Sequence, residues 1–228
     1  MERSFKKIWF GSLLVTVAFV WISFHWFDKP IALGIYNLFG GRRVSTELTD
    51  RIVAIPLISA VIFVLCGLFA ISGRRFSKSG VAIALCDISV LATIIVKDQL
   101  KFVFGRTWPD TWGPGIVSFV RDGVYGFHFF QFGKSFESFP SGHAAVAAAV
   151  LTIAGIMYPS LRVACTIGVL LADAGLVVLN LHFLGDVVAG SFVGFSAGLF
   201  TVMVWRASSV GSNIKAPSVI TAEACSPN

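Results

Sequence analysis

Long runs of apolar residues constrain this chain more than any other feature of its sequence. Six of them approach or reach the ~20 residues that an α-helix needs to cross the hydrocarbon core of a bilayer. Hydrophobic residues make up 56% of the 228 residues and charged residues 13%, which excludes a water-soluble globule, a disordered chain and a nucleic-acid-binding protein. We predict an all-α integral membrane protein, a bundle of six transmembrane helices. The predicted spans are residues 8–27, 52–72, 81–100, 144–158, 161–180 and 186–205.

The predicted spans form one domain over residues 1–206, followed by a short polar segment. Residues 207–228 are rich in Ser, Ala and Pro, which predicts a disordered tail. Basic residues precede the first span, as Lys6 and Lys7, and follow the second, beginning with Arg74. Because Lys and Arg concentrate in short cytoplasmic loops, we predict that both termini are cytoplasmic. The formal net charge of +6 suits anionic lipid headgroups or a phosphorylated substrate.

Polar and ionisable residues collect at three points between the predicted spans. Lys101 and Arg106 follow the third span, Ser141-Gly142-His143 opens the fourth, and His182 and Asp186 lie where the fifth meets the sixth. In any alternating six-span topology these three points share one face of the membrane. We therefore expect the three groups of side chains to lie close together.

The group that opens the fourth span has the features of an anion site. His143 precedes an alanine-rich segment with strong helix propensity, so it falls in the first turn of the predicted helix. Ser141 is a candidate N-cap, and Gly142 allows a ligand to approach the backbone closely. Free N–H groups and the helix dipole favour an anion at such a terminus. Lys101 and Arg106 add charged contacts that suit phosphate oxygens.

The two remaining polar residues suggest how a phosphate could react. His182 and Asp186 are four residues apart and share one face if they are helical. A carboxylate in that position can accept a hydrogen bond from one ring nitrogen and leave the other free to react. With His143 nearby, one histidine can attack phosphorus while the other protonates the leaving oxygen. No cluster of acidic residues accompanies them, so we predict a reaction that needs neither a metal ion nor another cofactor.

These residues carry a resemblance to a known family. The segment 101–109, the Pro-Ser-Gly-His motif at 140–143 and the His-xxx-Asp motif at 182–186 occur in the order of three signature motifs. They resemble the motifs of the type-2 phosphatidic acid phosphatase superfamily, which also contains bacterial acid phosphatases and vanadium haloperoxidases. The resemblance covers roughly residues 81–205, and six spans are typical of the membrane members.

The resemblance implies a role for each matching residue. It implies that His182 is the nucleophile that forms a phosphohistidine and that Asp186 orients its ring. His143 is then the general acid for the leaving group. The implied phosphate-binding residues are Lys101, Ser141 and Gly142.

Two positions depart from the family pattern. Trp108 and Leu176 stand where the family motifs have arginines that bind phosphate. Removing a charged contact of this kind typically costs about 1.5–3 kcal/mol, so we expect other cations to compensate. Arg106 is the predicted replacement for part of the lost charge, and Arg121 or Lys134 for the rest.

The resemblance implies a membrane phosphatase that hydrolyses a phosphomonoester or a pyrophosphate on a lipid. Candidate substrates are phosphatidic acid, phosphatidylglycerol phosphate, undecaprenyl pyrophosphate and the phosphates of lipid A. Two alternatives stay open, a lipid phosphotransferase of the same fold and a non-catalytic membrane transporter or scaffold. The small size of the chain favours a bacterial inner membrane, with the active site on the periplasmic or another extracytoplasmic face.

Two further features of the predicted spans need an explanation. Asp87 and Asp173 fall inside spans, where an ionisable group is costly and needs a partner or a function. Gly190, Gly194 and Gly198 recur every four residues in the sixth span, which is typical of a closely packed helix pair. We expect this pair to form within the monomer.

Overall fold

The structure, a computed structural model, describes residues 2–41, 59, 61–66, 68, 76–111 and 113–208. Within these residues the regular secondary structure is helical and no β-strand forms, which confirms the predicted all-α class. Three isolated β-bridges occur between residues 106 and 137. The described helices of ten or more residues are α1 (Glu2–Ile22), α2 (Asp28–Leu38), α3 (Lys78–Phe104), α4 (Gly142–Met157), α5 (Arg162–Val178) and α6 (Leu184–Ala207).

Four stretches of the described residues are long and apolar enough to cross a membrane. They are Trp9–Leu38, Lys78–Phe104, Pro159–Val178 and Leu184–Ala207, and they overlap the first, third, fifth and sixth predicted spans. The predicted second span, residues 52–72, lies largely outside the described residues, as does the predicted tail. The described part of the chain is therefore helical with four candidate membrane spans, and the six-span bundle stays a prediction.

The first membrane helix is longer than its apolar run indicated. Its prediction ended at residue 27, but a π-helical turn, Ser23–Phe27, connects α1 directly to α2. The predicted span stops just before charged Asp28, whereas Asp28 is 1% exposed and lies inside the protein. Pro30 falls in the first turn of α2, where its missing N–H is tolerated.

The fourth predicted span is the centre of the bundle. Its helix, α4, has only 16 residues and is about 24 Å long, less than the ~30 Å of a hydrocarbon core. Small side chains cover its surface, and neighbouring helices α3, α5 and α6 pack against it. A helix enclosed by protein in this way does not need to match the full thickness of the lipid. The buried alanines of α4 are Ala144, Ala145, Ala148 and Ala149.

The glycine repeat of α6 faces α4 at backbone distance. A Cβ atom placed on Gly190 would lie 2.3 Å from the carbonyl oxygen of Ser141, and one on Gly194 would lie 1.9 Å from that of Ala145. Both distances are shorter than real atoms tolerate, so the two helices can approach this closely only because Cβ atoms are absent. The predicted packing within the monomer is confirmed.

Helix ends bring the polar groups to one end of the bundle. At the end of α3, Gly105 adopts a left-handed conformation with φ of 53°, and a Cβ there would meet the carbonyl oxygen of His128 at 1.9 Å. The connection that follows returns to the start of α4. The C-terminal end of α3, the N-terminal end of α4 and the turn between α5 and α6 therefore lie together, as the alternating topology predicts.

Candidate active site

The structure brings the two histidines of the sequence motifs together. His143 lies in the first turn of α4, and His182 lies in the turn between α5 and α6. The centroids of their rings are 6.0 Å apart, and the ring planes are inclined by 65°. His182 is almost completely buried, with 2% exposure, whereas His143 is partly buried. Two imidazoles at this separation can act on opposite sides of one small reacting group.

Asp186 is fixed by several hydrogen bonds beside the ring of His182. Its Oδ2 accepts hydrogen bonds from the hydroxyl of Ser138 at 2.6 Å and from the backbone N–H of Phe183 at 3.1 Å. The same oxygen lies 3.7 Å from Nδ1 of His182, longer than a hydrogen bond but within reach of electrostatic attraction. Burial lowers the pKa of His182, and Asp186 opposes that shift only in part. His182 is therefore held neutral, with Nδ1 directed toward a carboxylate.

The start of α4 has the predicted cap. The side chain of Ser141 accepts a hydrogen bond from the backbone N–H of Ala144 at 3.4 Å, so Ser141 is confirmed as the N-cap. The backbone N–H of Ser141 donates to the carbonyl oxygen of Asp186 at 3.0 Å, which joins two of the motifs directly. Gly142 follows, and a Cβ on it would meet the side chain of Lys97, at 3.0 Å from Cδ.

Lys97 is a cation of the site that sequence reasoning did not assign. It lies one helical turn before Lys101 on α3. Burial and His182 lower the pKa of His143, and the charges of both lysines lower it further. The side chain of Lys97 is 18% exposed and forms an ion pair with the exposed carboxylate of Asp98. The spacing of four residues between Lys97 and Lys101 places both on one helix face and was the available signal. Two ammonium groups therefore lie beside the N-terminus of α4.

Arg106 has a different position from the one predicted for it. Its guanidinium is fully buried, with Nη1 donating to Oδ1 of Asp186 at 2.6 Å and Nη2 donating to Oδ2 of Asp28 at 2.6 Å. Nη2 also donates to the hydroxyl of Tyr125 at 3.1 Å. Burial acts to lower the pKa of Arg106, but Asp186 and Asp28 raise it above its usual value. A phosphate contact from this residue is not supported, because carboxylates already hold both terminal nitrogens.

Comparison with known proteins places this arrangement in a family. A family model described as the PAP2 superfamily matches residues 79–209, more than half of the chain. The chain belongs to the PAP2 superfamily. The membership predicted from the three motifs is confirmed, and the matched segment begins only at α3. Helices α1 and α2, which contribute Asp28, precede it.

Curated relatives match about half of the chain. The lipid A 1-phosphatase of Rhizobium johnstonii is 29% identical over 117 residues, which cover 51% of this chain and 45% of that protein. The lipid A 1-phosphatase of Rhizobium etli is also 29% identical over 117 residues, which cover 47% of its length. This chain thus spans about half the length of the curated relatives it matches. No solved structure matches the chain.

The two positions where the chain departs from the PAP2 arginines have other structural roles. The indole ring of Trp108 lies 5.1 Å from the ring of His182, and its N–H donates to the carbonyl oxygen of Lys134 at 2.6 Å. Trp108 therefore packs against the ring of His182. The carbonyl oxygen of Leu176 accepts hydrogen bonds from the backbone N–H groups of Leu181 and His182, at 3.0 and 3.3 Å. Leu176 thus helps to shape the turn that carries His182.

Other ionisable residues of this PAP2 protein have partners of their own. Arg121, a predicted source of compensating charge, instead donates from Nε to Oδ1 of Asp110 at 2.6 Å. The two carboxylates inside predicted spans accept hydrogen bonds from serines, Asp87 from Ser59 and Asp173 from Ser191. In the part of the chain that the structure describes, no three His, Cys, Asp or Glu residues are grouped to hold a metal ion. Metal independence stays a prediction.

Proposed function

We propose that the protein is a membrane phosphatase that hydrolyses a phosphomonoester or pyrophosphate on a lipid through a phosphohistidine intermediate. The observation that carries the proposal is the pair of neighbouring imidazoles, His143 and His182, beside two lysines and a helix N-terminus at one end of an apolar bundle. Membership of the PAP2 superfamily and the names of the curated relatives support the same class of reaction.

The proposed reaction has two steps. In the first, Nε2 of His182 attacks phosphorus while the bond to the leaving oxygen breaks and protonated His143 gives its proton to that oxygen. Burial, His182 and the two lysines lower the pKa of His143 to about 3, so His143 takes up this proton when the negatively charged phosphate binds beside its ring and raises that pKa. Asp186 stabilises the positive charge that develops on the ring of His182, because its carboxylate faces Nδ1. In the second step, a water molecule gives a proton to His143 and attacks the phosphohistidine. Inorganic phosphate leaves, and both histidines return to their starting states.

The phosphate group is proposed to bind at the N-terminus of α4. The first turn of a helix has backbone N–H groups without partners inside the helix, and the helix dipole favours the negative charge of the phosphate. Lys101 and Lys97 neutralise further charge on the oxygens, which removes the need for the two family arginines. Ser141 acts by capping the helix, whereas Arg106 acts on Asp186 instead of on the substrate.

A phosphate of lipid A is the proposed leading substrate, because both curated relatives are named lipid A 1-phosphatase. Phosphatidic acid, phosphatidylglycerol phosphate and undecaprenyl pyrophosphate are the other substrates to be tested. We place the protein in a bacterial inner membrane, as a six-span bundle with cytoplasmic termini. The site then faces the periplasm, where lipid headgroups of the outer leaflet can reach it.

Phosphate release by the detergent-purified protein tests this proposal. The four lipid types are supplied with and without EDTA, to the native protein, to His182→Ala and to His25→Ala, which removes an exposed histidine. We expect release that survives EDTA, disappears in His182→Ala and persists in His25→Ala. Loss of phosphate from the lipid with no free inorganic phosphate, but with a phosphorylated acceptor as product, identifies a phosphotransferase. No turnover of any lipid contradicts the proposal and favours a non-catalytic protein.

A further inference from the structure

A carboxylate from the N-terminal helices reaches the centre of the site. Asp28, at the start of α2, pairs with Arg106, and Arg106 pairs with Asp186 on α6, with both pairs at 2.6 Å. None of the three side chains is exposed. Charges buried this deeply are costly unless each has partners, so these contacts are specific features of the fold. Two carboxylates and one guanidinium leave the group with one net negative charge.

Aromatic rings enclose the guanidinium of Arg106 in this position. Its guanidinium carbon lies 4.5–5.4 Å from the ring centroids of four aromatic residues that surround it. Such contacts stabilise a cation and exclude water. They also confine the guanidinium to the plane in which its two ends meet the two carboxylates. The four residues are Phe24, Tyr125, Phe127 and Phe183.

Asp28 connects the N-terminal helices to the first turn of α6. Its Oδ1 accepts hydrogen bonds from the hydroxyl of Ser23 at 2.7 Å and from the backbone N–H of Gly185 at 3.2 Å, while Oδ2 holds Arg106. Gly185 directly precedes Asp186, so Asp28 fixes the backbone beside Asp186 as well as its guanidinium partner. A Cβ on Gly185 would lie 3.4 Å from Oδ2 of Asp28, which leaves little space between them.

These contacts determine how Asp186 acts on His182. Arg106 holds Oδ1 of Asp186, and Ser138 with the backbone of Phe183 holds Oδ2, so the carboxylate cannot rotate away from the ring. Asp28 shares the positive charge of Arg106. Without Asp28 that charge would fall on Asp186 alone and would weaken its attraction for a histidine that becomes positive during the reaction.

We propose that Asp28, which lies outside the segment matched by the family model, is a positioning residue for phosphoryl transfer. It holds Arg106 and neutralises part of its charge, so that Asp186 keeps both its orientation and its negative charge toward His182. This inference rests on the proposed function. It also makes helices α1 and α2 part of the active site, although neither carries a family motif.

The first test compares two changes of aspartate to asparagine in the purified full-length protein. Asp28→Asn keeps the size of the side chain but removes the charge shared with Arg106. Asp110→Asn is the matched control, because Asp110 also pairs with an arginine, Arg121, that is 38% exposed. We expect Asp28→Asn to lower kcat for lipid phosphate about ten-fold or more with less than a two-fold change in KM. Asp110→Asn is expected to keep the native kcat.

A second pair of variants separates positioning from folding. Arg106→Gln leaves Asp28 and Asp186 as two buried carboxylates without their cation, and its kcat is expected to fall more than that of Asp28→Asn. The double variant Asp28→Asn with Arg106→Gln restores the net charge of the native group and is expected to recover part of that loss. Thermal stability in detergent is measured for every variant, so that a change in kcat is compared with a change in Tm.

The outcomes distinguish this inference from the proposed function. If the native protein releases no phosphate from any lipid, the proposed function itself is contradicted, and this inference is contradicted with it. If the native protein is active and Asp28→Asn changes Tm but not kcat, Asp28 is only a structural anchor. The same conclusion follows if the double variant recovers no activity relative to Arg106→Gln. Where Asp28→Asn gives little folded protein, the kcat of the double variant relative to Arg106→Gln decides between a positioning residue and a structural anchor.

Discussion

The ring centroids of His143 and His182 lie 6.0 Å apart although the two residues are 39 positions apart in the chain. The two residues come from different helix ends, and a backbone hydrogen bond from Ser141 to Asp186 at 3.0 Å ties those ends together. The proposed mechanism gives them unequal roles, since only one forms a bond to phosphorus. That inequality can be measured.

Replacing His143 is expected to matter most for substrates with a poor leaving group. His143→Ala should lower kcat by ~10²–10⁴-fold for a phosphate ester with an alkyl leaving oxygen, because the general acid is lost. For a nitrophenyl phosphate that carries the same acyl tail on its ring, the loss of kcat should be much smaller, since a nitrophenolate leaves without taking up a proton. Steady-state kinetics with the two synthetic esters measures the difference. His182→Ala should abolish turnover of both, and equal losses for His143→Ala would exclude it as the acid.

Lys97 is expected to contribute to phosphate binding in the way that a family arginine would. Lys97→Met should lower kcat/KM about ten-fold or more, which corresponds to the 1.5–3 kcal/mol of a charged hydrogen bond. Lys101→Met should have an effect of similar or larger size. The matched control is Lys78→Met, because Lys78 lies at the opposite end of α3 over the ring of Tyr158. Native kcat/KM in Lys97→Met would show that Lys97 serves only its ion pair with Asp98.

The meeting of the three motifs could be predicted because it depends only on topology. Ends of alternating spans share a membrane face whatever the helices pack against, so the end of α3, the start of α4 and the turn before α6 were expected on one face. The packing of α3, α4 and α6 against one another then makes these ends neighbours. The glycine repeat was equally informative, since Gly190 and Gly194 have no role in a helix except close approach to another backbone. Ser141 as N-cap follows from a local hydrogen bond that the sequence encodes.

The role of Arg106 could not be predicted, because it depends on a residue 78 positions earlier in the chain. A charged residue at the end of an apolar run, such as Asp28, is typical of a helix that meets the interface. Only the continuation of α1 into α2 shows that Asp28 turns inward to the arginine. The contact of Trp108 with His182 could not be predicted for a related reason. A tryptophan near a membrane boundary indicates an interfacial belt, and its contact with His182 arises from the tertiary fold.

Buried His182 is expected to make stability depend on pH. Its pKa is lowered in the folded state, mainly by burial, whereas the unfolded chain has the ordinary imidazole pKa of about 6.5. Below that pH His182 takes up a proton in the unfolded chain but not in the folded protein. The free energy of unfolding therefore decreases as the pH falls. Tm measured from pH 7 to pH 5 should therefore decrease less steeply in His182→Asn than in the native protein.

A control and a contrary outcome complete this experiment. His25→Asn removes an exposed imidazole and accounts for the change of residue type. Because other groups titrate in the same range, only the difference between His182→Asn and the native protein is interpreted. Parallel curves for these two proteins would mean that the ring of His182 takes up its proton as readily in the folded state as in the unfolded chain.

Two glycine-to-alanine changes should have opposite effects on stability. A Cβ on Gly194 would meet the carbonyl oxygen of Ala145 at 1.9 Å, so Gly194→Ala must force α6 away from α4. On Gly175, inside α5, a Cβ would meet no atom within 4 Å, and Gly175→Ala should stabilise the helix by about 0.5–1 kcal/mol. Thermal unfolding in detergent should therefore show a lower Tm for Gly194→Ala and an equal or higher Tm for Gly175→Ala.

The change at Gly194 also bears on the site, because α6 carries Asp186 and α4 carries His143. Separating the two helices should displace the carboxylate from the facing histidines and lower kcat even at temperatures where the variant is folded. A misplacement of about 1 Å can cost ~10²-fold in rate. Gly194→Ala with native Tm and native kcat would mean that the helices do not approach as closely as the structure has them. A lowered Tm with native kcat would mean that the site keeps its geometry independently of this helix pair.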